Sequence, residues 1–180
     1  MRLLVVAAVL LLTSCANSSY PGRNPNDYVA NDTIITLNEP VTVGRNSVSA
    51  GLRGGYIGTQ QEYEGHCRLE LWTISREQRV IEPDDFTVER SNWEWEYFGG
   101  FDPLNTYAGI LTRGGPNLFW YTTYVYLRSE RQPDVYRLRC RHLQQSDRDP
   151  RYMTVAQMQT VLGNVMTLNG QPMAATASGQ

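Results

Sequence analysis

The chain has 180 residues, of which 16 are basic and 18 acidic, giving a formal net charge of -2. This length suits one domain, and the slightly acidic balance disfavours a general nucleic-acid binder. All 16 basic residues are arginine, which excludes Schiff-base chemistry on lysine, a lysine general base and a lysine-containing phosphate loop.

The N-terminal segment has the pattern of a secretory leader. Arg2 supplies one positive charge, residues 3–12 are all apolar, and small polar residues lead to Cys15. The apolar run is too short for a membrane-spanning helix, which needs about 20 residues. The pattern therefore predicts a signal peptide over residues 1–14.

The tetrad Leu12-Thr13-Ser14-Cys15 resembles the lipobox of bacterial lipoprotein precursors. The resemblance implies that Cys15 receives a diacylglycerol, that the leader is cleaved before it, and that the new amine is acylated, for example with palmitate. Several acyl chains hold a protein on a membrane far more firmly than one. Ala16, rather than an aspartate, follows the cysteine, and in Gram-negative lipoproteins this implies an outer-membrane location. The alternative is an ordinary cleaved signal with an unmodified cysteine.

Residues 15–32 are rich in Asn, Ser, Pro and Gly without periodicity, which predicts a flexible tether after the lipidated cysteine. The following residues, 33–170, have the pattern of a single β-rich domain, and residues 171–180 are expected to form a disordered tail. Strands are predicted at 33–37, 48–53, 68–74, 86–90, 93–97, 118–128 and 135–142. Many strands separated by glycine pairs favour an antiparallel sheet, a sandwich or a small barrel.

One short C-terminal α-helix is expected after these strands. Thr154 and Gln157 have the spacing of a capping box, and Met153 and Met158 that of a hydrophobic staple. Gly163 is a natural helix stop. The predicted helix, 155–162, should close one face or end of the sheet before a last strand at 165–168.

Two cysteines remain after the leader, Cys67 and Cys140, and each belongs to a predicted strand. In a secreted protein such a pair indicates a disulfide, which at this long spacing stabilises the fold by at most about 4 kcal/mol. Buried free thiols or a redox site are the alternatives, although no C-x-x-C spacing supports the second.

The two histidines of the chain, His66 and His142, lie close to these cysteines and are candidates for a metal pair. Strand alternation places them on opposite faces, so a metal site would need a β-bulge and a third ligand from Glu62 or Glu64. We therefore expect no metal and no cofactor.

Glu94 and Glu96 are paired carboxylates of the kind that glycosidases use. They alternate with aromatic residues, however, which is typical of the solvent-facing side of a half-buried strand. We expect no catalytic residues and interpret the protein as a non-enzyme.

Four arginines are candidates for binding an anionic partner. Arg137, Arg139 and Arg141 form a one-sided ladder along a predicted strand, and Arg128 precedes them. Guanidinium groups suit carboxylates, phosphates and lipid headgroups. The alternative is cross-strand pairing with acidic neighbours, for which the candidates are Glu70, Glu94 and Glu96.

Aromatic residues crowd the segments 93–101 and 119–126. In the second segment both strand faces carry aromatics, so not all of them fit into a one-sided core. Tyr and Trp are favoured where one end of the side chain is buried and the other wet. Core packing accounts for most of them, and Trp95, Trp120 and Tyr124 are the candidates for contacts with a protein or glycan.

The segment over residues 34–90 is similar to a group of uncharacterised proteobacterial envelope lipoproteins. The shared features are Gly54-Gly55, the acidic-aromatic stretch at 62–67, a Leu-Glu-Leu strand and a Pro-Asp-x-Phe-x-Val-x-Arg element at 83–90. This resemblance brings no activity. We expect an outer-membrane lipoprotein facing the periplasm, with an accessory or scaffold role, that binds an envelope protein or cell-wall component and no nucleic acid. The alternative is an enzyme acting on cell-wall glycan or its fragments.

Overall fold

A computed structural model describes residues 29–58, 64–99, 118–145 and 152–169. The predicted signal peptide, Cys15, most of the tether and the predicted tail lie outside these residues. The described residues form ten strands and one helix: β1 (Ile34–Leu37), β2 (Val41–Val43), β3 (Ser49–Arg53), β4 (Tyr56–Ile57), β5 (His66–Leu71), β6 (Arg79–Ile81), β7 (Asp84–Gly99), β8 (Leu118–Arg128), β9 (Val135–Gln145), α1 (Val155–Leu162) and β10 (Met166–Asn169). The fold is mainly β with one short helix, as predicted.

Eight strands form one antiparallel sheet in the order β10-β1-β7-β8-β9-β5-β3-β4, while β2 and β6 pair separately. The large sheet curls into a half-barrel, which decides among the three predicted architectures. Strand β7 has 16 residues and unites two segments that the sequence predicted as separate strands. The residues of the candidate site described below lie mainly on the long strands β7, β8 and β9.

The two faces of the sheet differ in composition because successive side chains of a strand point to opposite sides. On one face, here called the core face, apolar side chains such as Phe86, Leu69 and Leu138 are fully buried. Helix α1 packs against this core through Val155, Met158 and Leu162. The opposite face, here called the outer face, carries mostly charged and aromatic side chains of β5, β7, β8 and β9.

The ends of α1 follow the predicted signals. The Thr154 hydroxyl accepts a hydrogen bond from the Gln157 backbone N–H, and the Gln157 side chain accepts one from the Thr154 N–H, so the capping box is present. Gly163 ends the helix with a φ of 57°, and a Cβ there would lie 2.5 Å from the Cα of Gly55 in the β3–β4 turn. Glycine is therefore required where this turn meets the helix.

Among the described residues, no helix is both long and apolar enough to span a membrane.

The folded domain includes residues that the sequence assigned to the tether. Val29 is fully buried, and its carbonyl accepts a hydrogen bond of 2.8 Å from the Ser91 hydroxyl. The Asp32 N–H donates to the Val88 carbonyl at 2.8 Å. Residues 29–32 thus belong to the domain, because a single apolar side chain in a polar segment is enough to bind that segment to β7.

Candidate functional site

The site is organised by the pairing of β5 with β9. Cys67 and Cys140 lie directly opposite each other in this pair and form a disulfide with a Cα–Cα distance of 4.0 Å, which confirms the predicted bridge. Both residues are fully buried on the core face. The disulfide therefore fixes the register of the two strands whose other face carries the predicted arginine ladder.

The two histidines lie on opposite faces, as strand alternation predicted. On the outer face, His66 Nε2 accepts a hydrogen bond of 3.2 Å from Arg141. On the core face, His142 lies beside Tyr121, with ring centroids 6.1 Å apart, and burial lowers its pKa. No group of three His, Cys, Asp or Glu residues suited to a metal ion occurs within the part of the chain that the structure describes.

Arg137 and Arg139 share one acidic partner. Arg137 Nε donates to a Glu70 carboxylate oxygen at 2.7 Å, and Arg139 Nε lies 3.0 Å from the other oxygen. Glu70 is only 7% exposed, and the two guanidinium groups are half-buried. These two arginines therefore form cross-strand ion pairs, which was the alternative interpretation of the ladder. Because two guanidinium groups share one carboxylate, one positive charge remains in excess.

Arg137, Arg139 and Glu70 are part of a layer of packed charged and aromatic side chains on the outer face, and Arg141 joins this layer by different contacts. Its guanidinium lies 4.2 Å from the centroid of the Trp120 ring and 3.5 Å from a Glu96 carboxylate oxygen. Trp120 is only 3% exposed and also meets the rings of His66 and Phe98 edge-on. The sequence nominated Trp120 as a contact residue, but its burial in this layer removes it from the accessible surface.

Tyr124 also packs within the layer. The Arg137 guanidinium lies 4.2 Å from its ring centroid, a cation–π contact that favours the buried arrangement. Burial, followed by the charge of Glu94, raises the pKa of Tyr124. The Tyr124 ring thus packs against the Arg137 guanidinium group, and the tyrosine stays neutral at neutral pH.

A cleft of about 380 Å³ opens at one end of this outer face. One wall is aromatic: the rings of Trp72 and Tyr136 lie 3.6 Å apart between centroids at an angle of 32°, and Tyr126 meets Tyr136 edge-on at 5.3 Å. Trp72 is 61% exposed. The cleft therefore presents a large aromatic surface that the fold holds in place and leaves wet.

The other wall of the cleft is charged. The Arg90 guanidinium lies 4.1 Å from the centroid of the Tyr126 ring, and Arg128 pairs with Glu89 at 3.4 Å. Burial acts to raise the pKa of Tyr126, but hydrogen bonds from Arg137, Arg90 and then Tyr136 outweigh it and lower that pKa. The arginines thus create a positive environment around the Tyr126 hydroxyl.

Trp95 lies away from this cleft, on the core face near the end of β7. It is 59% exposed and meets Phe119 edge-on at 5.4 Å. The predicted contact residues are therefore not brought together: Arg128 lines the cleft, Tyr124 and the ladder form the layer beside it, and Trp95 lies on the opposite face.

The sequence did not nominate the main residues of the cleft, Trp72, Arg90, Tyr126 and Tyr136. Trp72 directly follows β5, and Tyr136 lies where the β5–β9 register shifts by one residue. A single exposed aromatic after a strand has the same sequence pattern as a buried one.

No protein-family model matches the chain, and no curated protein or solved structure is significantly similar to it.

Proposed function

We propose that this chain is an outer-membrane lipoprotein, anchored through Cys15 and facing the periplasm, whose β-rich domain binds an envelope protein or cell-wall component without catalysing a reaction. The observation that carries the binding role is the cleft between Trp72 and Arg90, which joins a wet aromatic surface to a guanidinium group. The lipobox-like tetrad ending at Cys15 supports the anchor.

The carboxylates of the outer face support a binding role rather than catalysis. Glu70, Glu89 and Glu96 each lie within ion-pair distance of an arginine. Each of these carboxylates is held in an ion pair within the protein, whereas a general acid or base must contact the reacting group of a substrate. These residues therefore suit a structural role in a charged layer beside the cleft.

Lipidation is expected to depend on Cys15 alone. Cells that express the full chain with labelled palmitate should yield a labelled protein, and Cys15→Ala should reduce the label to background because the acceptor sulfur and the cleavage site are lost. The double variant Cys67→Ala/Cys140→Ala is the matched control and should keep the label. Palmitate that stays on the Cys15→Ala protein would contradict the anchor.

Binding at the outer face is expected to produce site-specific crosslinks in cells. The chain has no lysine, and an acylated N-terminus would leave no primary amine, so amine-directed reagents are unsuitable. A diazirine-bearing residue in place of Pro133, which lines the cleft, should capture an envelope component that mass spectrometry identifies. The same residue in place of Trp95 is the control.

The two positions separate the possible outcomes of this experiment. Adducts from position 133 and none from position 95 support the cleft as the binding site. Adducts from position 95 alone would move the binding site to the core face, and their absence at both positions would contradict the binding role.

A further inference from the structure

The cleft has the size of a small-molecule site. Its volume of about 380 Å³ lies in the lower part of the range of about 300–1,000 Å³ that is common for ligand pockets. Such a volume suits one or two small rings rather than a folded protein segment. The chemistry of its two walls then indicates what kind of ring it accepts.

The aromatic wall suits a ring with apolar C–H groups. One face of Trp72 packs on Tyr136, and the indole remains 61% exposed. The negative π-face of an indole attracts weakly positive C–H groups, and a sugar ring presents several of them on one side while its hydroxyl groups point outward. The Tyr126 hydroxyl accepts a hydrogen bond from Arg137, and its own O–H can donate to one of those groups.

The charged wall suits an anion. Among the described residues, Arg90 has no carboxylate within ion-pair distance, and its guanidinium group lies over the Tyr126 ring. Arg128 pairs with Glu89 in a well-exposed contact, which is weak in water. Among the residues that line the cleft, two arginines, Arg90 and Arg128, face one carboxylate, that of Glu89.

We propose that the cleft binds a sugar that carries a carboxylate, with its ring stacked on Trp72 and its carboxylate paired with Arg90. Carboxylate and guanidinium form charge-assisted hydrogen bonds in a fixed planar geometry, which gives the site a preference for acidic over neutral sugars. This inference rests on the proposed binding role and specifies the cell-wall component as an acidic sugar.

Two sugars that differ by one carboxylate-bearing group test the proposal. The full chain, purified in detergent, is titrated calorimetrically with N-acetylmuramic acid and with N-acetylglucosamine, which share the ring and differ by the lactyl group. The acidic sugar is expected to bind at least about tenfold more tightly. D-Lactate alone, which carries the carboxylate without the ring, should bind at least about tenfold more weakly than the acidic sugar.

Two variants assign the preference to the two walls. Arg90→Gln should make the affinities of the two sugars equal, while Trp72→Ala should weaken both by about tenfold. Trp95→Ala is the matched control, because Trp95 is as exposed as Trp72 (59% against 61%) but lies on the other face; both affinities should stay unchanged. Since the three side chains are exposed, the melting temperatures should remain close to that of the unmodified protein.

Each of the following results would overturn the inference: equal affinity for the two sugars, a preference that persists in Arg90→Gln, lactate binding as tight as that of the acidic sugar, or no binding of either sugar. If neither sugar binds while position 133 still yields crosslinks in cells, the acidic-sugar inference fails and the proposed binding role stands. If crosslinks are also absent, both fail.

Discussion

Removal of the Cys67–Cys140 disulfide is expected to lower the free energy of unfolding by about 3–4 kcal/mol. The bridge joins residues 73 positions apart, and the chain-entropy model assigns about 4 kcal/mol to a loop of this length. Urea unfolding of the full chain should show the loss for Cys67→Ala/Cys140→Ala. Dithiothreitol should produce a similar loss in the unmodified chain and none in the double variant. A loss below about 1 kcal/mol would contradict this stabilisation, and two free thiols in the oxidised protein would contradict the bridge.

The same physics predicts which property the reduced protein keeps. A disulfide stabilises mainly by restricting the unfolded chain, so its removal changes the folded state little. The outer face should therefore retain its layer of arginines and aromatics as long as the protein remains folded. Crosslinking from position 133 is expected to persist in the double cysteine variant below its melting temperature, which separates the stabilising role of the bridge from the binding role of the cleft.

The sequence predicted the elements whose signals are local. The bounds of β8, Leu118–Arg128, match the predicted strand, and the capping box placed the start of α1 at Val155. Strands β2, β4 and β6 have only two or three residues, too few to show a period. These short strands form through hydrogen-bonded pairing with a partner strand, as Val41–Val43 does with Arg79–Ile81.

Strand β7 was predicted as two strands for an identifiable reason. The register of β7 with β8 shifts between Val88 and Arg90, so one extra residue interrupts the alternation at Glu89. A β-bulge of this kind moves the later residues to the other phase of the period-two pattern. The sequence therefore shows two short patterns, whereas the backbone continues through the bulge as one strand.

The ion-pair layer was closer to prediction than the cleft was. If Cys67 and Cys140 are taken as opposite partners in an antiparallel pair, the residues three positions outward on each strand, Glu70 and Arg137, are opposite as well. The predicted disulfide therefore sets the strand register that places Glu70, rather than Glu94 or Glu96, opposite Arg137. The cleft is different, because Trp72 follows β5 and Arg90 lies on β7, two strands that are not neighbours in the sheet, so the proximity of the two residues depends on its curl.

Glu70→Ala is expected to destabilise the protein by about 2–4 kcal/mol. Breaking a buried ion pair from one side costs about 3–5 kcal/mol, and the partial exposure of Arg137 and Arg139 reduces this. The loss arises because two adjacent guanidinium groups would remain without their shared carboxylate. Urea unfolding measures it, and Glu96→Ala is the matched control: Glu96 is well exposed, so its loss should cost less than about 1 kcal/mol.

A double-mutant cycle decides whether stranded charge or lost packing causes the effect of Glu70→Ala. If charge is the cause, adding Arg137→Gln to Glu70→Ala should restore about 1 kcal/mol or more, because one of the two uncompensated cations is removed. If packing is the cause, the second change should add its own loss. Additive losses in 0.1 M and 1 M salt alike would therefore show that Glu70 fills space rather than neutralising the arginines.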